Sequence, residues 1–273
     1  MTTTTAAAGT VMRHLEFVAQ CLRPEWQVAM TSTTEQWAQF AVAGPKSREL
    51  LNGLLDAPID NDNWPFMACG EVSVLGVGGR LFRISFSGEH AYEIAVPARY
   101  GEALFRELVA RAEGLGGGAY GMEALNVLRI EKGFITHSEI HGRTTAYDVG
   151  MGRMISATKD CIGKVMAARP GLVVKDRERL VGFKPIGAVK QLSAGAHVFA
   201  AGAQASREND QGYITSVGFS PSFGAYIGLG FVKSGPERYG EVMRVVDHLH
   251  ELEVEVEICP PVFVDPEGRR ARG

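Results

Sequence analysis

The stretch FSGEHAYEI, residues 86–94, holds the side chain whose type and position point most clearly to chemistry. After a glycine turn, Glu93 stands between the aromatic Tyr92 and the β-branched Ile94. Alternation in a strand directs Tyr92 and Ile94 to one face and Glu93 to the other. Glu93 then points to solvent, which spacing alone favours, or into a second cavity, where a carboxylate needs hydrogen-bond donors. A fused heterocycle with an N–H beside an amino group supplies two such donors.

Other arrangements that carry chemistry are absent or weak. The chain has no G-x-S-x-G elbow, and its four cysteines, at positions 21, 69, 161 and 259, form no CxxC pair. Its seven histidines do not cluster, so we expect no metal site. GGGAYG at residues 116–121 matches G-x-G-x-x-G, but a helical pattern precedes it where a dinucleotide site requires a strand. No catalytic side chain can be assigned.

Two further segments hold polar residues whose interpretation stays open. YGMEALNVLRIEKG, residues 120–133, has the apolar stripe of a largely buried helix. Its Glu123, Arg129 and Glu131 are either surface charges, which the spacing favours, or the lining of an interface. GRTTAYDVGMGRMI, residues 142–155, has hydroxyls and glycines typical of a structural turn or, less commonly, of a loop that approaches a ligand.

The elements that must position these residues change in character along the chain. The first part mixes helical patterns with strand-like runs and favours antiparallel sheets with flanking helices, an α+β arrangement. Its helices are predicted at residues 9–22, 45–55, 100–113 and 121–132, and its strands at 26–33, 37–44, 71–76, 80–87 and 92–97. After about residue 175, short alternating strands between Gly, Pro, Ser and Asn turns predict a small β-barrel. We therefore predict two domains, 1–174 and 175–273.

The composition excludes several classes of function. The chain has 273 residues, 45% of them hydrophobic, and a net charge of −3, so it offers no basic surface for nucleic acid or anionic lipid. It contains no run of about 18 apolar residues that would span a membrane. Its start lacks the features of a signal peptide. With unpaired cysteines as well, these features favour a cytoplasmic protein.

Five segments, in this order, resemble the folate-binding aminomethyltransferase family, which includes the glycine-cleavage T-protein: FSGEHAYEI, YGMEALNVLRIEKG, GRTTAYDVGMGRM, GYITSVGFSPSFGAYIGLGFV and PPVFVDPEGRR. The MTTTT start, the form of the second segment and the DPEG ending are most similar to the C-terminal region of the alpha subunit of heterotetrameric sarcosine oxidase. The resemblance covers essentially the whole chain. It implies an aminomethyltransferase-like folate-binding domain at residues 1–174, followed by the small C-terminal β-barrel.

The resemblance also implies roles for particular residues. The family pattern Y-T-G-E-x-G-x-E corresponds to residues 86–93, so Glu93 matches the glutamate that holds the pterin of tetrahydrofolate. Phe86 stands where the family has a tyrosine that packs against folate, so the ring is kept and the hydroxyl is lost. The arginine of the family's A-R-D motif, which receives the tail carboxylate of folate, is replaced by Leu125.

The implied function is that of the tetrahydrofolate-binding, one-carbon-transfer portion of a sarcosine oxidase alpha subunit. There, sarcosine is oxidatively demethylated and the one-carbon unit is captured as 5,10-methylenetetrahydrofolate. Two alternatives stay open: a non-catalytic folate-binding or assembly module, and a stand-alone aminomethyltransferase of the glycine-cleavage type.

The sequence departs from the family at its front. In the relatives, a stretch with an Asp-Asp pair precedes the MTTTT segment, and one of these aspartates lies beside the reacting amine; this chain shows no such stretch. FAD, FMN and NAD are expected only on regions outside the chain or on partner subunits. We therefore expect part of an enzyme that is incomplete for catalysis alone. Its expected partners are folate, other sarcosine oxidase subunits or the missing N-terminal part, and a second copy of itself.

Overall fold

The computed structural model describes residues 1–273 and divides into two compact units. The first unit consists of Met1–Ser85 and His90–Ala119. The second consists of Phe86–Glu89 and Tyr120–Gly273. The compact units are divided at other positions than the two predicted domains, and the boundary between residues 174 and 175 stays a prediction.

The first unit is built on a four-stranded antiparallel sheet with the order β1-β4-β3-β2. The strands are β1 (Trp37–Ala43), β2 (Cys69–Val74), β3 (Val77–Phe82) and β4 (Ala91–Pro97). The helices are α1 (Thr5–Phe17), which continues into a π-helical turn at Val18–Leu22, α2 (Ser47–Asn52) and α3 (Gly101–Gly114). Because β4 is central, its side chains are surrounded by those of β1 and β3 on both faces of the sheet.

The core of this unit lies on one face of the sheet, against α2 and α3. Leu51 of α2 and Tyr92, Ile94 and Leu81 of the sheet are fully buried there, and Leu104 of α3 packs with them. These residues are apolar at alternate strand positions, which is the pattern of a strand with one buried face. The opposite face of the sheet is therefore available for polar side chains.

Three local predictions in this unit are wrong. Residues 26–33 form no strand. Their alternation is a local pattern, whereas a strand also needs a neighbouring strand with which its backbone groups can pair. The hairpin between β2 and β3 turns at Leu75 and Gly76, earlier than the glycine cluster suggests. Both residues have positive φ, 48° and 79°, as a two-residue type I′ turn requires, so β3 starts at Val77 and passes through Gly78 and Gly79. The strand predicted at 80–87 consequently ends at Phe82.

The second unit contains a closed six-stranded barrel with the order β10-β5-β8-β7-β6-β9. The strands are β5 (Glu178–Pro185), β6 (His197–Ala200), β7 (Asp210–Ser220), β8 (Ala225–Lys233), β9 (Val242–Asp247) and β10 (Leu252–Cys259). Fully buried Val181, Phe183 and Val256 belong to its interior cluster. Close approach of β7 and β8 demands a glycine at Gly230, where a Cβ would lie 2.2 Å from the Tyr213 carbonyl oxygen. The α+β fold with a C-terminal β-barrel is thus confirmed.

Helix α4 (Met122–Glu131) packs on the outside of this barrel, mainly against β7. Short helices α5 (Lys164–Ala167) and α6 (Arg269–Arg272) complete the unit. The expectation of surface charges on α4 is wrong for two of its residues, since Arg129 and Glu131 are only 4% and 5% exposed. They are buried because they turn towards polar partners in the rest of this unit. None of the helices combines the length and apolar character needed to cross a bilayer.

Candidate functional site

Glu93 lies in the middle of the central strand of the first unit. In the register of the sheet it is opposite Ala41 of β1 and Phe82 of β3. Its neighbours Tyr92 and Ile94 are fully buried on the helix-covered face. The alternation predicted from the sequence is therefore confirmed, and the Glu93 side chain projects from the opposite face, half-buried.

We call the surface around this side chain the Glu93 face. Its residues share one side of the sheet because directly paired residues of antiparallel strands project to the same side. They are Trp37, Gln39 and Ala41 of β1, Glu71 of β2, Arg80 and Phe82 of β3, and Glu93 and Ala95 of β4.

The Glu93 carboxylate has one protein partner. The side-chain amide nitrogen of Gln39 donates a hydrogen bond to Oε2. The nitrogen and not the amide oxygen must face Glu93, because an ionised carboxylate only accepts hydrogen bonds. The second oxygen, Oε1, has no hydrogen-bond donor and no cation beside it. A carboxylate has about four lone-pair positions, so several remain for a ligand.

The immediate surroundings of Glu93 suit a flat ring. Ala41, opposite it on β1, is exposed and has a side chain of one carbon, so it leaves space above the sheet. The half-buried Phe82 supplies an aromatic surface beside the carboxylate. Hydrogen-bonding and apolar groups thus converge, as they do where small ligands bind.

Phe86 belongs to the second unit, whereas Glu93 belongs to the first. The Phe86 ring is 41% exposed and stacks on Phe134, with ring centroids 6.1 Å apart and an angle of 21° between the planes. A partly exposed ring held by a second ring can offer its other surface to a ligand.

The segment Ala124-Leu125-Asn126 lies in the first half of α4. Asn126 Oδ1 accepts hydrogen bonds from Arg129 Nε at 2.9 Å and from Nη2 at 2.8 Å. Arg129 also contacts the barrel, because its Nη2 donates a hydrogen bond to Ser216 Oγ at 2.7 Å. It is therefore not available to act as the arginine that the resemblance leads us to expect at position 125.

A buried network that sequence reasoning missed joins Arg129 to Glu139. Nη1 of Arg129 lies 3.4 Å from Oε2 of the fully buried Glu139. Burial alone would raise the pKa of Glu139, but hydrogen bonds from Ser216, Thr215 and Thr136, with the nearby Arg129, lower the pKa below its ordinary value. Burial lowers the pKa of Arg129, and Glu139 opposes that effect. No local signal reveals the network, because Glu139 and Ser216 are 77 residues apart.

A cleft of about 280 Å³ in the second unit has His141, Tyr213 and Phe231 among its lining residues. At its edge Asp148 accepts hydrogen bonds from Arg177 Nε at 2.8 Å and from the Thr145 backbone N–H at 2.8 Å. These contacts hold Thr145 and Asp148 in a turn, and Arg143, Thr144 and Asp148 of the same segment also line the cleft, so both interpretations of GRTTAYDVGMGRMI stay open. No group of three or more His, Cys, Asp or Glu side chains is arranged to hold a metal ion.

Comparison with known proteins places both parts of the chain in one family. The GCVT N-terminal domain family matches residues 1–159, and the glycine cleavage T-protein C-terminal barrel domain family matches residues 178–265. An aminomethyltransferase T structure from Bartonella henselae has a TM-score of 0.53 at 18% identity and covers 85% of each chain. At that identity the likeness concerns the fold.

Curated relatives include proteins of two names. The chain is 48% identical over 99% of its length to "Sarcosine oxidase subunit alpha" of Rhizobium meliloti and 39% identical over its full length to that of Corynebacterium sp. strain U-96. It is 30% identical over 83% of its length to an aminomethyltransferase of Thermus thermophilus. The chain spans 28% and 29% of the length of the two alpha subunits and 59% of the aminomethyltransferase.

Proposed function

Because this chain belongs to the glycine cleavage T-protein family, we propose that it binds tetrahydrofolate on the Glu93 face. We further propose that it is the one-carbon-transfer portion of a sarcosine oxidase alpha subunit. The similarity to alpha subunits over almost the whole chain supports the second statement. The flavin and nicotinamide chemistry of such an enzyme would reside outside the residues described here.

The observation that carries the proposal is the state of the Glu93 carboxylate. It is half-buried on a sheet face, oriented by one amide donor, and its Oε1 atom lacks any protein donor. A pterin presents a ring N–H and an adjacent amino group, which match the two oxygens of a carboxylate in a bidentate pair. Such charge-assisted hydrogen bonds would hold the ring in one orientation.

Phe82 would add an aromatic contact with the ring system, because it lies beside Glu93 on the sheet. Phe86 is proposed as a folate contact because it matches the family's folate-packing tyrosine. Stacking by a phenylalanine ring needs no hydroxyl. The loss of the hydroxyl at position 86 is therefore compatible with binding.

The chain's own contribution to transfer would be orientation and the exclusion of water. When bound, tetrahydrofolate supplies the amine nitrogens that take up the one-carbon unit as 5,10-methylenetetrahydrofolate. Glu93 would hold the pterin edge, and its negative charge would favour nearby positive charge. We assign no proton transfer to a side chain of this protein.

Isothermal titration calorimetry with folinic acid, a stable reduced folate, tests the proposal. Wild type should bind with micromolar affinity. Glu93→Gln should weaken binding by about tenfold or more, because it removes the charge and turns an N–H₂ group towards the ligand donors. The matched control is Glu255→Gln, which changes an exposed strand carboxylate of the barrel and should leave binding unchanged. Absence of binding to wild type, or equal affinity for both variants, would refute the proposal.

A further inference from the structure

Arg80 is an exposed cation on the Glu93 face that no carboxylate neutralises. In the register of the sheet its neighbour on β2 is Glu71, yet the two side chains form no ion pair. The Arg80 guanidinium instead lies over the ring of Trp37, with Cζ 4.1 Å from the ring centroid. An arginine that lies over an aromatic ring and forms no ion pair with the adjacent glutamate keeps its charge available for a ligand.

The sheet explains how this side chain reaches across a strand. Arg80 is opposite Ala95, and Trp37 is opposite Pro97, both in the central strand β4. Ala95 has a single side-chain carbon and is only 2% exposed, so the arginine can pass over it to β1. A larger residue at position 95 would obstruct that path.

The guanidinium over the Trp37 ring keeps its hydrogen-bond donors. None of its five N–H groups is used in a hydrogen bond to another residue. A planar fork of donors is the geometry that binds a carboxylate with two parallel hydrogen bonds. The Arg80–Trp37 pair therefore has the chemistry of a preformed carboxylate site, because the ring limits the freedom of the arginine before any ligand arrives.

The distance from Glu93 identifies the kind of carboxylate. Pro97, the residue opposite Trp37, lies four positions beyond Glu93 along β4, a backbone separation of about 13 Å. A ligand that is held at one end by Glu93 and at the other by Arg80 needs a rigid spacer of comparable length between a ring with N–H donors and a carboxylate. Folates have this construction, since an aminobenzoyl group separates the pterin from the glutamate tail.

We propose that Arg80, held on Trp37, binds the tail carboxylate of folate and so selects ligands that carry a glutamate tail. This inference rests on the proposed function, because it assumes that the pterin lies on Glu93. It supplies a cation for the tail in a chain whose α4 has Leu125 where the family has an arginine. The two contacts would act at opposite ends of one ligand on a single sheet.

The test compares a ligand with a tail and one without. Affinities of folinic acid and of 6-methyltetrahydropterin, which has no tail, are measured by calorimetry for wild type, Arg80→Met and Glu93→Gln. Arg80→Met should weaken folinic acid by about tenfold, the value of a charge-assisted hydrogen-bonded contact, and leave 6-methyltetrahydropterin unchanged. Glu93→Gln should weaken both ligands.

Arg99→Met is the matched control, because Arg99 is also exposed and lies over an aromatic ring, that of Tyr100, with Cζ 4.8 Å from the centroid. It should bind both ligands as wild type does. If wild type binds neither ligand, the proposed function fails. If wild type binds folinic acid and Arg80→Met binds it equally well, the pterin site stands and the tail assignment is overturned. Equal weakening of both ligands by Arg80→Met would also overturn it.

Discussion

Glu93 and Gln39 form the smallest unit of the candidate site. The amide holds one carboxylate oxygen from the neighbouring strand, and the other oxygen stays free. A carboxylate fixed in one rotamer loses less conformational freedom when a ligand binds than a mobile one does. Gln39 is therefore expected to be a positioning residue whose value lies in the orientation of Glu93.

Gln39→Leu keeps the side-chain size and removes the hydrogen bond. We expect affinity for folinic acid to fall roughly fivefold, equivalent to about 1 kcal/mol, because Glu93 must then be ordered by the ligand. The measurement is calorimetry beside a thermal melt, which should change little at this exposed position. Gln36→Leu, just before β1, is the control. Unchanged or tighter binding by Gln39→Leu would show that the amide does not orient Glu93.

The sequence predicts the face of the sheet to which the Glu93 side chain points, but it does not predict the hydrogen-bond partner of that side chain. The apolar character of Tyr92 and Ile94 is enough to place Glu93 on the opposite face, and that prediction is confirmed. Gln39 is 54 residues away, and it meets Glu93 only because β1 and β4 pair in one particular register. A one-residue slip of β1 would turn Gln39 to the other face.

Among the elements, α4 shows how a charged helix is buried. Its Arg129 is neutralised by Glu139 and shares Ser216 with it, so the helix is fastened to β7 through polar groups as well as apolar ones. Apolar spacing on a helix predicts which side is buried, but it does not predict that a carboxylate from elsewhere accompanies an arginine inward. That is why the expectation of surface charges was wrong here.

Glu139→Gln should destabilise the chain by about 3–5 kcal/mol at neutral pH, because it leaves Arg129 buried without a counter-charge. The pKa of Glu139 lies below its ordinary value of 4.5 in the folded chain. Its stabilisation is therefore present above that ordinary value and lost as the pH falls through the folded pKa. Urea unfolding at several pH values measures the effect, which should shrink in acid.

A second substitution separates the ion pair from simple damage. Arg129→Met combined with Glu139→Gln removes both charges, so it should be less destabilising than the two single substitutions summed. Additive losses at neutral pH, or a Glu139→Gln effect that does not change with pH, would contradict this account of the network.

For the whole molecule, the regular parts of the fold were predictable and the irregular ones were not. Alternation along β10, where Val254 and Val256 face inwards and Glu253 and Glu255 outwards, predicts a barrel strand directly. Residues 26–33 alternate too, yet they pair with neither edge strand of the first sheet, β1 or β2, and form no strand. Strand formation depends on partners that a local pattern does not contain.

In the candidate site, too, some residues were predictable from the sequence and others become apparent only from the structure. Glu93 and Phe86 come from the sequence and its resemblance to a family, and their roles in binding stay predictions. Arg80 and Trp37 come from the sheet, since only strand register brings them to the Glu93 face. The chain spans less than a third of the sarcosine oxidase alpha subunits that it resembles, so binding is a more direct test than catalysis.

The central claim is that the Glu93 carboxylate pairs with the N–H and amino edge of a pterin. Calorimetry with folinic acid and with its 2-deamino-2-methyl analogue, on wild type and Glu93→Ala, tests that contact itself. We predict that losing the amino group weakens binding to wild type by about tenfold to a hundredfold and hardly affects the already weak binding to Glu93→Ala. Equal affinity of wild type for both ligands, or the same ratio in the variant, would contradict the account.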